Sequence, residues 1–77
     1  MKINLEYGKF IKIEDYADGS VIEAPDNCTV RQLLAFLKLP AYLQKAIIVH
    51  VNEEPVWNAT VLKENDSVKL YRLVSGG

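Results

Sequence analysis

The sequence predicts a small two-layer α+β domain, a mixed sheet of four or five strands with one main helix packed across one face. Three observations predict it. Residues 2–7, KINLEY, alternate strictly between polar and apolar side chains, the period of a half-buried strand. Residues 29–37 join a helix-start signal to an apolar stripe at helical spacing. Residues 46–51, AIIVHV, and 67–74, SVKLYRLV, supply two further strand patterns after that helix.

Taken in order, Ile3, Leu5 and Tyr7 share one face of the first strand, and Gly8 breaks it. In KFIKIEDYADGS, Ile11 and Ile13 alternate with Lys12 and Glu14, which reads as a second short strand or a strand-like loop. ADGS is a turn signal, and SVIEA (20–24) is strand-like until Pro25 and Asp26 end it. Thr29 is placed to cap the helix, with Gln32 reaching back to its amide. Val30, Leu33, Leu34 and Leu37 fall on one face of about ten helical residues, and Pro40 enforces the stop. A short second turn can follow through AYLQK, where Tyr42 and Leu43 can pack. AIIVHV is dense enough in β-branched residues for an interior strand. NEEP then turns, and VWN pairs back briefly. In LKENDSV, Asn65 suits a left-handed backbone position. On the last strand Val68 and Leu70 share one face, and Lys69 and Tyr71 the other.

A hairpin, a helix and then three strands suggest a β-grasp arrangement, with the first and last strands parallel at the centre, as the helical crossover allows. Seventy-seven residues suffice for one domain; residues 1–74 are expected to form it, and 75–77, Ser-Gly-Gly, a flexible tail. Hydrophobic residues at 49% and charged residues at 25% place the chain among globular rather than disordered sequences. A net charge of −1 with scattered Lys and Arg argues against a nucleic-acid surface. No apolar run reaches the roughly 18–20 residues that span a membrane, and the alternating start is unlike a signal-peptide core. A cytoplasmic protein is expected. The single cysteine, Cys28, cannot form an internal disulfide and has neither a CxxC partner nor a nearby histidine, so no metal site is expected.

The chain ends LVSGG. One reading is a frayed terminus, where small residues accumulate. The other makes the terminal carboxylate the working group, since Gly76 and Gly77 have no side chains and can thread a narrow channel in another protein.

The order TVRQLL, IVHVNEEPV, LKENDSVKLY and terminal SGG resembles the ubiquitin-like sulfur carrier proteins of the ThiS/MoaD family nearly end to end. Glu53 stands where that family's turn has glycine, and Glu64-Asn65 where it has Asp-Gly. Arg72 and Leu73 replace two prolines common in the molybdopterin branch. The roughly 28 residues before the helix favour that branch over the thiamin-type carriers, which open with a tighter hairpin. The resemblance implies that an ATP-dependent, ubiquitin-activating-type enzyme adenylates Gly77. Sulfur then leaves a thiocarboxylate, which is delivered to an acceptor enzyme, either a molybdopterin synthase large subunit or a thiazole synthase. The chain has no GxxxxGK[ST] loop, so it is expected to act as a covalent co-substrate that binds no cofactor, with ATP used by the partner. Gly77 and Gly76 are the implied reacting end. Tyr71, Leu73, Val74 and Ser75 are the expected partner-binding residues, Tyr71 because aromatic residues on an open sheet face favour docking.

His50, Cys28 and Trp57 read as a surface or edge histidine, a small partly buried thiol and a core or rim aromatic, with partner contact the other reading of Trp57. Glu53 and Glu54 read as a solvated turn. Two other functions fit the same residues: a ubiquitin-like modifier joined through Gly77 to lysines of other proteins, and a β-grasp binding module with an accidental Gly-Gly end. Covalent adducts in cells mark the first, and tolerance of a C-terminal tag the second.

Overall fold

A computed structural model of the protein describes residues 1–73. Its elements are β1 (Lys2–Glu6), β2 (Ser20–Glu23), α1 (Val30–Phe36), α2 (Ala41–Gln44), β3 (Ile47–Val51), β4 (Glu54–Pro55) and β5 (Ser67–Arg72). The strands form one mixed sheet in the order β2-β1-β5-β3-β4. At its centre β1 and β5 run parallel, with Leu5 beside Val68 and Glu6 beside Lys69. All other pairings are antiparallel. The arrangement is a β-grasp fold, a five-stranded sheet with the helix packed across it, as the order of sequence patterns predicts.

The alternating patterns set the faces. Ile3, Leu5, Ile22, Val49, Val68 and Leu70 are buried on the sheet side that meets Val30, Leu33, Leu34 and Leu37 of the helix segment. Leu39 and Leu62 complete the same core. Every buried hydrophobic residue belongs to this one cluster, and no polar side chain is buried among the described residues.

The start of α1 shows why the helix begins where it does. Four helical amides have no partner within the helix. Here Val30 N–H donates to the Thr60 carbonyl at 2.9 Å and Arg31 N–H to Asn58 at 3.0 Å. Gln32 N–H donates to Thr29 Oγ1 at 3.2 Å, and the Gln32 side chain returns the bond to Thr29 N–H at 2.9 Å. The capping box is therefore present, and the 57–62 segment is tied to the helix start.

The helix stops earlier than Pro40 would require. Lys38 adopts φ 60°, its N–H donates to Ala35 O at 2.9 Å, and Leu39 N–H donates to Leu34 O at 3.2 Å. This is a Schellman motif with lysine at the position glycine usually takes. Leu37 caps the helix and stays buried. Seven residues, rather than about ten, are helical.

Two connections also differ from the sequence pattern. Ile11 and Ile13 are buried, yet they belong to a loop between β1 and β2. That loop is fastened by the Tyr7 hydroxyl, which lies 2.7 Å from the Tyr16 carbonyl and 3.3 Å from that of Ile13. After β3 the pairing resumes at Glu54–Pro55 and reaches Val56, whose N–H donates to Val49 O at 3.1 Å, rather than running over Val56–Asn58. The reason is the turn itself: Asn52 and Glu53 have φ of 52° and 72°, a two-residue hairpin turn that brings Glu54 opposite Val51.

Glu53 and Lys38 thus hold left-handed angles that cost an L-residue roughly 1–2 kcal/mol. Part of any relief is lost through glycine's freer unfolded chain. Glu53→Gly is expected to raise stability by about 0.5–1 kcal/mol, and Lys38→Gly by a similar amount. Chemical denaturation checks both, and a loss of stability from either would show that the side chain is held by contacts that outweigh the strain.

Candidate functional site

Because β5 lies at the centre of the sheet, its uncovered face is the middle of the open side, opposite α1. Register places Tyr71 beside Ile48 and Lys69 beside His50 across β3 and β5, and Lys69 beside Glu6 across β1 and β5. Tyr71 and His50 meet edge to face with ring centroids 4.8 Å apart. Lys69 Nζ lies 5.3 Å from the Tyr71 ring centroid and 3.7 Å from Glu6 Oε2. Tyr71 first, then Glu6, holds the Lys69 ammonium protonated above its ordinary value of 10.5. The result is an aromatic and aliphatic surface with an exposed cation at its centre, and Tyr71 and Ile48 remain exposed.

One hydrogen bond extends this face toward the chain's end. Leu73 N–H donates to Ala46 O at 2.7 Å, one step past the last residue of β5. The chain is therefore held in line with the central strand up to Leu73, whose side chain is 60% exposed. Of the expected site residues, Tyr71 and Leu73 occupy this common region. Val74, Ser75, Gly76 and Gly77, and the expected mobile tail, lie outside the described residues.

Sequence reasoning missed Ile48 as a surface residue, because AIIVHV is apolar at nearly every position and its two faces look alike. The signal was His50. A polar residue marks the open face, and alternation then puts Ile48 on it. Trp57 is corrected: it is 85% exposed instead of packing in the core or at its rim. The turn at Asn52–Glu53 ends the strand pairing before it, and the Trp57 backbone carbonyl accepts from Thr60 N–H at 3.0 Å. Cys28 is fully inside, and burial pushes its thiol pKa up, so it stays protonated and unreactive. Among the described residues no group of His, Cys, Asp and Glu is arranged to hold a metal ion. No described helix is long and apolar enough to cross a membrane.

A family model described as the ThiS family matches residues 7–77. The chain belongs to the ThiS family. Solved structures give the same fold. SAMP1 from Haloferax volcanii is 18% identical, with both chains covered in full and a TM-score of 0.67. A chain from the complex of subunits 1 and 2 of molybdopterin-converting factor from Helicobacter pylori is 23% identical, again with full coverage of both, at a TM-score of 0.62. No curated protein sequence matches the chain. As a ThiS-family protein it carries the match across its central strand and its glycine-rich end, the two parts of the candidate site.

Proposed function

We propose that this protein is a sulfur carrier whose Gly77 carboxylate is adenylated by a ubiquitin-activating-type enzyme and then converted to a thiocarboxylate. The observation that supports this reading most is the family match running through Gly77, on a fold whose central strand leads to that end. A carboxylate is a poor acyl donor, because its oxygen is a poor leaving group. Attack of the carboxylate oxygen on the α-phosphorus of ATP expels pyrophosphate and gives an acyl-adenylate. A sulfide equivalent then attacks the acyl carbon and AMP departs. The partner holds the ATP, and this chain supplies the acyl group.

Four residues follow Leu73, a reach of at most about 14 Å. The open face around Tyr71 and Ile48 would dock on the partner while those residues extend into its active site. The acceptor favoured is the molybdopterin-type enzyme. A long loop rather than a tight hairpin joins β1 to β2, and one similar structure comes from a molybdopterin-converting factor complex. Thiazole synthase is the next acceptor to test.

Incubation with the adenylating enzyme, ATP and a sulfur source is expected to raise the intact mass by the difference between one sulfur and one oxygen. Lysine-linked adducts in place of that gain would assign the chain as a modifier. Tyr71→Ala is expected to weaken binding to the adenylating enzyme by about 1–3 kcal/mol, as loss of a central aromatic anchor does. Titration calorimetry checks it, and unchanged affinity would move the docking surface elsewhere.

A further inference from the structure

A cleft borders the open face where the chain leaves the sheet. Lys9, Phe10, Lys69, Tyr71 and Arg72 line it, and no carboxylate among the described residues does. Arg72 Nη1 donates to the Phe10 carbonyl at 3.2 Å, which fastens the Gly8–Phe10 turn against the end of β5. That bond uses one of five guanidinium donors. Among the described residues neither Lys9 nor Arg72 has a carboxylate within ion-pair distance, whereas Lys69 has Glu6. Phe10 is 65% exposed between these cations.

The rest of the molecule shows that this is a local asymmetry. Net charge is −1, so the cleft is not a sample of a generally basic surface. Glu53 and Glu54 sit at the turn beyond Val51, and Glu64 and Asp66 immediately before β5. Carboxylates near the start of β5 thus stand beside Lys2 and Lys63, whereas the cleft at its end is lined by cations with no described carboxylate among them.

Resting on the sulfur-carrier reading, we propose that Lys9 and Arg72, with Phe10 between them, form a cationic collar that recognises an acidic, partly apolar rim on the adenylating partner, around the entrance that admits the chain's end. Opposite charge around a narrow entrance steers a chain end toward it and suppresses wrong orientations. The collar flanks Leu73, the last residue before the reacting segment, so it acts where orientation matters most. Phe10 and Leu73 supply the apolar part of the contact.

The test follows association of the full chain with its purified adenylating enzyme by stopped flow, with pyrophosphate release read in the same samples. K9E/R72E is expected to associate at least about tenfold more slowly than the native chain at low salt. The difference should shrink near 1 M salt, where the screening length falls to about 3 Å. R31E/K63E makes the same change in net charge on other surfaces and is expected to associate at the native rate. R72Q keeps a donor for the Phe10 carbonyl without the charge and is expected to be slowed. The collar is overturned if the native chain is adenylated while K9E/R72E associates at the native rate. It is equally overturned if R31E/K63E is slowed as much, if R72Q matches the native chain, or if the slowing appears only with the sulfur acceptor. A native chain that is not adenylated fails the carrier reading itself, and the collar with it.

Discussion

Deleting Gly77, or adding one residue after it, is expected to abolish activation while leaving the fold intact. The argument is one of reach. Removing one residue retracts the carboxylate by up to about 3.5 Å. Reacting atoms must approach to about 3–3.5 Å, and a misplacement of 1 Å can already cost about a hundredfold. Extension puts an amide where the carboxylate should be, and an amide cannot attack phosphorus as the carboxylate does. The fold should be indifferent, since no buried residue of the described chain lies beyond Leu70. Side chains at the last two positions would restrict backbone angles and widen the cross-section, which glycine avoids at an ordering cost of roughly 1–2 kcal/mol per residue. Leu73 can offset part of that by burying apolar surface in the partner, at roughly 25 cal/mol per Å². Cys28→Ser should gain the thiocarboxylate mass as the native chain does, because that thiol is buried and protonated. Efficient activation of a C-terminally extended chain, with no protease present to trim it, would reduce the Gly-Gly end to a frayed terminus.

Much of the fold was legible because burial writes a period into the sequence. KINLE alternates and is β1; the Val30, Leu33, Leu34 and Leu37 stripe is the buried helix face. Thr29 and Gln32 form the capping box their spacing announces. Asn65 holds the left-handed angle, φ 68°, expected of it. What escaped was set by backbone conformations that sequence does not advertise. A lysine at φ 60° ended the helix early, and a glutamate at φ 72° moved the β3–β4 pairing toward the turn. Both are exposed residues at left-handed angles that glycine usually takes, so nothing in the local sequence marks them. The site was legible only in part. Tyr71 was assigned to the open face by alternation. Arg72's bond to the Phe10 carbonyl joins residues 62 positions apart, and no local pattern foretells such a contact.

Leu34→Ala is expected to destabilise the protein by about 2–5 kcal/mol, the range for removing a fully buried leucine. Leu34 is 1% exposed, on the helix face that covers the sheet. Its carbonyl accepts from Leu39 N–H at 3.2 Å, but that bond belongs to the backbone and survives the substitution, so the loss reports the side chain alone. A domain of this length has about 4–12 kcal/mol in total, so the variant would lose a large share of it and its denaturation midpoint would fall steeply. Arg31→Ala, one turn earlier and exposed, should change stability by less than about 0.5 kcal/mol. A Leu34→Ala loss of only a few tenths would mean the stripe faces solvent, and the two-layer packing would be wrong. The same variant separates scaffold from site. Leu34 lies on the covered side of the sheet, while Tyr71, Ile48 and Leu73 lie on the open face and at the chain's exit. Each molecule that remains folded should therefore be activated as fast as the native chain, with the deficit confined to the folded fraction. A lower rate per folded molecule would show that the helix also sets the geometry of the exit.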